Sequence, residues 1–269
     1  MKVVYFGDDN SHTYSAAKQM TADSDTLIGQ KNIKDCFLAV SEGRADAAVI
    51  PIENSVEGTV NETLDCLTNG DAYICRETKI PITHCLVVQS QAELKDIKIL
   101  YSHYQALAQC ENFIKTQLPA VKVIASSSTS AALKEITCKE VAAIARQAGE
   151  GTKILKSAVN DCPNNTTSFI MINRRGGTLP PEPIGADSLD RPHKCSVVFD
   201  VENKPGTLLN VLSEFKDFNL IKIESRPFKT DFGRYFFFVS FVVDDSAKLK
   251  TLFDNINKKS VMFKVLGIY

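Results

Sequence analysis

Residues 49–65, Val-Ile-Pro-Ile-Glu-Asn-Ser-Val-Glu-Gly-Thr-Val-Asn-Glu-Thr-Leu-Asp, constrain the fold of this chain more than any other stretch. Ala47 to Ile50 is a short apolar run of the kind a buried strand makes, and Pro51, which has no N–H for a ladder, is expected to end it. Glu53, Asn54, Ser55, Glu57 and Gly58 follow, and then Val60, Leu64 and Leu67 recur at helical spacing. Polar groups are therefore delivered to the carboxyl end of a strand. In open α/β sheets that is where ligands bind, because the strand-to-helix loops line a crevice there. Helix capping by Asn54 or Ser55 accounts for the same residues, so the stretch gains meaning only from others that match it.

A chain of 269 residues with 44% hydrophobic content can bury the core of one large domain or two moderate ones. Its 31 basic and 32 acidic residues leave a net charge of -1, which provides no broad basic surface for nucleic acid or anionic membrane. No apolar run is long enough for a signal core or a membrane span, so a cytoplasmic location is expected. The eight cysteines, Cys36, Cys66, Cys75, Cys85, Cys110, Cys138, Cys162 and Cys195, include no pair two residues apart. Free thiols are the expectation, rather than a zinc site or a disulfide framework. No glycine-rich phosphate loop supports a nucleotide cofactor.

Read in order, Val3 to Phe6 is a strand, residues 7–11 a polar turn, Thr13 to Met20 a helix, Ile33 to Glu42 an amphipathic helix, and Ala45 to Ile50 a strand. That is a β-α-α-β beginning. Tyr73 to Thr83, Cys85 to Val88 and Asp96 to Tyr101 read as strands, with Pro81 between the first two. A helix is expected over Tyr104 to Thr116, a strand over Val121 to Ala125, and a helix from Ala131 behind the hydroxyl-rich turn 126–130. Val141 to Ala145 and Ser168 to Ile172 are further strands, and Ile154 to Ser157 fits no element clearly. Residues 176–193 hold four prolines and three glycines with little apolar periodicity, the composition of a linker. Beyond it Cys195–Val201, Leu208–Phe218, Leu220–Pro227, Phe232–Val243, Ser246–Asn257 and Phe263–Ile268 follow as βαββαβ, the ferredoxin-like split unit. The chain thus divides into residues 1–175, a linker 176–193, and 194–269. One face of the second unit's sheet is left free to pair or bind.

Four stretches occur in a telling order: Pro51-Ile52-Glu53-Asn54-Ser55-x-Glu57-Gly58, Glu77-x-x-Ile80-Pro81-Ile82-x-His84-x-Leu86, Ser102-His103-x-Gln105-Ala106-Leu107-x-Gln109-Cys110, and Asn165-x-Thr167-x-Phe169. Together they resemble prephenate dehydratase. The terminal unit, with Gly206-Thr207-Leu208-Leu209 and Glu224-Ser225-Arg226-Pro227, is similar to the phenylalanine-binding ACT domain fused to such enzymes. The resemblance implies a two-lobed, periplasmic-binding-protein-like catalytic domain with a cleft between α/β lobes, and a cofactor-free, metal-free lyase that makes phenylpyruvate from prephenate. It places the essential threonine on Thr167, as donor or orienting partner for the departing hydroxyl. Glu53, Asn54, Ser55, Ser102, Gln105, Gln109, Phe169 and Ser11 fall on substrate-binding positions. Gln109 lies seven residues after Ser102, so the two are expected to share one helix face. His84 and His103 are expected to be structural.

Two departures stand out. The family pattern has arginine then phenylalanine after its threonine, whereas this chain has Ser168 and Phe169. Its first loop, Gly7-Asp8-Asp9-Asn10-Ser11-His12, stands where the family has Gly-Pro-Glu-Gly-Thr and an aromatic; Ser11 keeps a hydroxyl. Arg146, Arg174, Arg175 and Lys153 are the candidates to replace the missing charge, against a default of solvated surface.

In the terminal unit the resemblance puts phenylalanine at Gly206, Thr207, Leu208, Leu209, Glu224, Ser225, Arg226 and Pro227, between two copies of the domain. It therefore implies a homodimer or homotetramer under allosteric control. Three other functions share the same residues: an arogenate dehydratase, a prephenate decarboxylase that keeps the hydroxyl, and a non-catalytic sensor of an aromatic metabolite. Thr167 favours dehydration over the second, and the retained cleft residues favour an enzyme over the third.

Overall fold

Strands buried on both faces are built from continuous apolar runs, and the opening of the first lobe is organised around two of them. The computed structural model describes residues 1–174, 193–228 and 233–269. β1 (Lys2–Phe6), α1 (His12–Met20), β2 (Thr26–Gln30), α2 (Ile33–Ser41) and β3 (Ala47–Asn54) open the chain. β1 lies between β2 and β3 and runs parallel to both. Val3, Val4, Tyr5 and residues 47–50 are all buried, with helices covering both faces. The expected β-α-α-β beginning is corrected here. β2 intervenes as an edge strand, and its residues are only partly buried, so they lack the unbroken apolar run that marks a central strand.

Pro51 does not end its strand. β3 continues to Asn54, flanked by the short β4 (Gly58–Thr59) on one side and by β11 (Thr166–Arg174) on the other. Phe169 pairs with Pro51 and Ser168 with Glu53, so Ile52 is an extra residue in a β-bulge. A missing N–H costs little where the ladder is already interrupted. α3 (Asn61–Asn69) then buries Leu64 and Leu67, and β5 (Ala72–Pro81) completes the lobe as the antiparallel partner of β11.

The second lobe holds a five-stranded sheet in the order β10-β6-β9-β7-β8. Its strands are β6 (Cys85–Gln89), β7 (Ile99–His103), β8 (Lys122–Ser126), β9 (Val141–Ala145) and β10 (Thr152–Lys156), the last assigning the segment that sequence left undecided. The helix expected over 104–116 is two, α4 (Tyr104–Ala108) and α5 (Glu111–Gln117). Asp161 explains the break: its backbone N–H donates to Gln109 O at 2.7 Å, and its carboxylate accepts from the N–H groups of Asn112 and Phe113 at the start of α5. α6 (Thr129–Lys134) follows, capped by Ser128 alone.

Two crossing segments join the lobes, and they are tied to each other. Ile82 N–H donates to Asn165 O at 2.8 Å, Val159 N–H to His84 O at 2.8 Å, and His84 N–H to Asn160 Oδ1 at 3.3 Å. The crossover is therefore a braced ribbon at the base of a cleft.

The expected linker 176–193 lies, apart from His193, outside the described residues, as do Arg175 and residues 229–232, which include the expected start of a strand at Phe232. From His193 the chain makes β12 (His193–Asp200), α7 (Thr207–Leu212), β13 (Leu220–Pro227), β14 (Tyr235–Val243), α8 (Ala247–Lys259) and β15 (Met262–Ile268). The strand order is β13-β14-β12-β15, the ferredoxin-like arrangement. Its helical face packs Phe215, Phe241, Leu252 and Ile256. The opposite face is not free: Val198, Phe238 and Leu266 share a core with Ile50, Leu67 and Ile74 of the first lobe.

β15 also meets β5 at a single pair, Gly267 with Ile74, joining both units in one ten-stranded sheet. Only glycine allows that approach, since a Cβ on residue 267 would stand 2.2 Å from Ile74 O. Gly267→Ala is expected to lower unfolding stability by about 1–3 kcal/mol, the usual range for forced overpacking. Urea titration of the variant checks this, and an unchanged midpoint would mean that the two units are not in this contact.

Candidate active site

Asn54 sits at the carboxyl end of β3, where the chain turns into α3. Its Oδ1 accepts from the backbone N–H groups of Val56 and Glu57, both at 2.9 Å. Those two donors settle which end of the amide is oxygen. The Nδ2 end then points across to β11, donating to Thr167 Oγ1 at 2.8 Å and to Asn165 Oδ1 at 2.7 Å. Thr167 is opposite Asn54 in register, so strand pairing places the two side chains together. Since Thr167 Oγ1 accepts from Asn54, its own O–H remains available to a ligand.

The network crosses the cleft through Gln109, the residue at which the expected long helix breaks. Gln109 Oε1 accepts from Asn165 Nδ2 at 2.9 Å and lies 3.0 Å from His84 Nε2, while Gln109 Nε2 donates to Glu57 Oε1 at 3.0 Å. An acceptor oxygen facing His84 Nε2 puts the imidazole proton there. His84 Nδ1 is consequently an unprotonated acceptor, buried and without a partner. Burial lowers the His84 pKa and keeps the ring neutral, partly offset by the bond to Gln109.

The first loop closes the cleft from the other side. Ser11 caps α1, accepting from Tyr14 N–H at 3.1 Å, and its carbonyl accepts from an Arg146 guanidinium N–H at 3.0 Å. Gln147 Nε2 donates to Asn10 Oδ1 at 2.9 Å, and Ser130 Oγ to Asp8 Oδ1 at 3.3 Å. Tyr5 donates to Asp9, and desolvation followed by that carboxylate raises the Tyr5 pKa. His12 Nδ1 is a second buried nitrogen without a partner. Desolvation, then the charge of Arg146, push the His12 pKa down to about 4.

The prephenate dehydratase family model matches residues 3–177. The chain belongs to the prephenate dehydratase family. It is 35% identical over 247 residues to the prephenate dehydratase of Amycolatopsis methanolica, covering 89% of this chain and 78% of that protein. It is also 34% identical over 255 residues to arogenate dehydratase 2 of Petunia hybrida, covering 92% of this chain and 60% of that protein. The crystal structure of Arthrobacter aurescens prephenate dehydratase in complex with L-Phe superposes with a TM-score of 0.85 at 32% identity, covering 100% of this chain and 89% of that one.

Within this family framework, the residues singled out in sequence separate into three groups. Asn54, Gln109 and Thr167 converge on the cleft. Ser55 braces the same corner, accepting from Thr166 N–H at 3.0 Å, and Ser11 stands at the mouth. Gln105 lies one turn before Gln109 on α4, its carbonyl accepting the Gln109 N–H at 2.9 Å. Ser102 and Phe169 are not brought into the cleft. Ser102 is in β7 rather than on a helix with Gln109, and its hydroxyl donates to Ile144 O at 2.6 Å inside the sheet. Phe169 packs with Tyr5, Val49 and Ile80 in the core. His103 caps α4 without a side-chain bond.

Glu53 turns away from this network. It pairs with Lys222 of β13 at 3.2 Å, and Lys222 also donates to Thr59 Oγ1 at 2.8 Å. Thr59 Oγ1 donates in turn to Glu224 at 3.1 Å, and Arg226 pairs with Asp65 of α3 at 3.2 Å. Alternate β13 residues thus grip the first lobe, while Ser225 and Pro227 are exposed on the other side of the strand. Gly206 caps α7 with φ of +82°, a conformation glycine adopts without strain, and Thr207 Oγ1 donates to Glu202 O at 2.7 Å. Leu208 is partly buried and Leu209 exposed.

Sequence reasoning missed His12 and gave Asn165 no role. Asn165 had a visible signal, its place two residues before Thr167; His12 had none beyond standing where an aromatic was expected. Because the fold holds His12 neutral below its ordinary pKa of 6.5, the unfolded chain takes up the proton first as pH falls. Stability is therefore full above that value and declines between it and about 4. The decline attributable to this group is on the order of 1–3 kcal/mol. His12→Asn is expected to flatten the fall in denaturant midpoint between neutral and mildly acidic buffer; an unaltered pH slope would show that His12 is not buried as described.

Proposed function

We infer that this protein is a prephenate dehydratase, a lyase that converts prephenate into phenylpyruvate, carbon dioxide and water, with phenylalanine acting through the C-terminal unit. The observation that carries the reading is Asn54 Nδ2 donating to Thr167 Oγ1 at 2.8 Å. It leaves a threonine O–H aimed by its neighbours and free to meet a leaving hydroxyl.

The reaction asks for little acid strength. The bond from the ring to its carboxylate breaks, and its electron pair enters the ring. The C4–O bond then gives way, and hydroxide leaves as water with one proton. Aromatisation drives both cleavages, so a donor that is held in place suffices. Thr167 supplies that donor, and solvent restores the proton. Asn54, Asn165 and Gln109 keep it oriented and span the two lobes, so lobe closure and donor alignment become one event. Decarboxylation with the hydroxyl retained, or binding without turnover, would leave this aimed hydroxyl without a task. The likeness to an arogenate dehydratase makes arogenate the substrate to run in parallel.

Control by phenylalanine has a physical route in β13. Of the expected effector residues, Glu224 and Arg226 contact the first lobe, and Lys222 on the same face pairs with Glu53, the residue before the end of the cleft strand. A ligand that moved β13 would move these contacts too. The L-Phe complex of the related Arthrobacter aurescens structure supports phenylalanine as that ligand. A homo-oligomer fits the same unit, since β13 ends the sheet and Leu209, Ile221 and Ile223 are 68%, 49% and 52% exposed. A cytoplasmic location agrees with the eight cysteines forming no disulfide among the described residues.

Incubation with prephenate and, separately, arogenate at neutral pH, with products followed by absorbance and mass spectrometry, tests the reaction. Phenylpyruvate is the expected product. Thr167→Ala is expected to lower kcat by about 10²–10⁴-fold, the usual contribution of a positioned proton donor, with its circular dichroism unchanged. Retained turnover would remove Thr167 from the role assigned. Asp65→Asn, which removes the partner of Arg226, is expected to raise the half-effective phenylalanine concentration by roughly three- to tenfold, as loss of a partly buried ion pair implies. Unchanged phenylalanine sensitivity would exclude β13 as the route.

A further inference from the structure

Of the candidate cations among the described residues, Arg146, Arg174 and Lys153, the fold brings Arg146 to the cleft. Arg174 lies seven residues beyond Thr167 on the same strand, roughly 23 Å away at the rise of an extended chain, and is exposed. Lys153 pairs opposite Val88 in the edge strand β10. Arg146 is different. It follows directly on β9, is partly buried, and reaches over the cleft to Ser11 of the first lobe.

Its one hydrogen bond is to a carbonyl, and among the described residues no carboxylate pairs with it. The nearby loop acids are engaged elsewhere: Asp9 holds the Tyr5 hydroxyl, while Asp8 accepts from Asn10 N–H and Ser130 Oγ. A guanidinium has five N–H donors and its affinity for carboxylate lies in offering two at once. The imidazole of His12, which feels the Arg146 charge, and that of His84 near it are both kept neutral by burial, so positive charge at this end of the cleft is concentrated on Arg146. Each of those rings also presents a buried nitrogen with no partner, which marks the space between them as one that a polar ligand completes.

We propose that Arg146 binds a carboxylate of the substrate, and that it is the carboxylate of the side chain, which the product keeps. The proposal rests on the dehydratase reading, in which the C4 hydroxyl lies at Thr167 and both carboxylates stand at the far side of the ring. A cation on the departing carboxylate would stabilise the ground state more than a transition state in which that charge is leaving, and would slow the reaction. On the retained carboxylate it binds substrate, transition state and product alike.

The test separates these possibilities. Arg146→Ala is expected to raise KM for prephenate about 10- to 100-fold, the range for losing a hydrogen-bonded charge partner, with kcat within about threefold. Phenylpyruvate, measured by calorimetry on the same variant, should weaken by the same factor. Arg146→Lys should recover part of the affinity, as should millimolar guanidinium added to the alanine variant. An unchanged KM, or a fall in kcat with phenylpyruvate affinity intact, would overturn the assignment. If the wild-type protein fails to turn over prephenate, the dehydratase reading falls by itself. Calorimetry with phenylpyruvate still decides the carboxylate site in that case, because equal binding to wild type and Arg146→Ala refutes it and loss in the variant upholds it.

Discussion

One side-chain amide holds together the corner of the first lobe from which the cleft is built. Asn54 directs its oxygen to the backbone that turns from β3 into α3 and its nitrogen to Thr167 of β11 and to Asn165 just before that strand, both more than a hundred residues later. An amide can do this because it carries an acceptor and two donors in one plane, so fixing one end aims the other. From Asn165 the connection passes to Gln109 and then to His84 and Glu57. Partly buried polar groups of this kind are expensive unless every member is satisfied, and the atoms left over, His84 Nδ1 and His12 Nδ1, lie at the site itself.

A second constraint is the sharing of one sheet by catalytic and C-terminal units. Because side chains alternate across a strand, β13 presents Lys222, Glu224 and Arg226 to the first lobe and leaves Ile221, Ile223, Ser225 and Pro227 on the opposite side. A single strand therefore faces the cleft domain and the outer surface at once. Lys194 with Glu77 at 3.0 Å, and Lys264 with Leu67 O at 2.7 Å, add further ties between the units. The ferredoxin-like unit is thus less an appendage than an extension of the first lobe's sheet.

Much of the architecture was legible because its signals are local. Residues 47–50 read as a buried strand, the hydroxyl-rich turn 126–130 as the approach to a helix, and the terminal βαββαβ as six elements in order. The failures have physical causes. β2 escaped notice because an edge strand needs no continuous apolar run. Pro51 was read as a terminator, although a bulge absorbs a residue without an N–H. The helix after β7 was read as one because its break comes from Asp161, distant in sequence. Ser102 and Phe169 were placed with the cleft residues, yet their side chains face the sheet interior, which no spacing rule reveals.

The sequence by itself determined most of the element types and the family, since periodicity, turn chemistry and ordered short motifs are properties of neighbours along the chain. Only the tertiary structure decided which polar groups meet. The contact of Asn54 with Thr167 depends on strand pairing, the neutrality of His12 on what buries it, and the bond from Arg146 to Ser11 on how two lobes close. Charge, hydrogen bonding and desolvation all act through distances between residues far apart in the chain, and those distances exist only once it has folded.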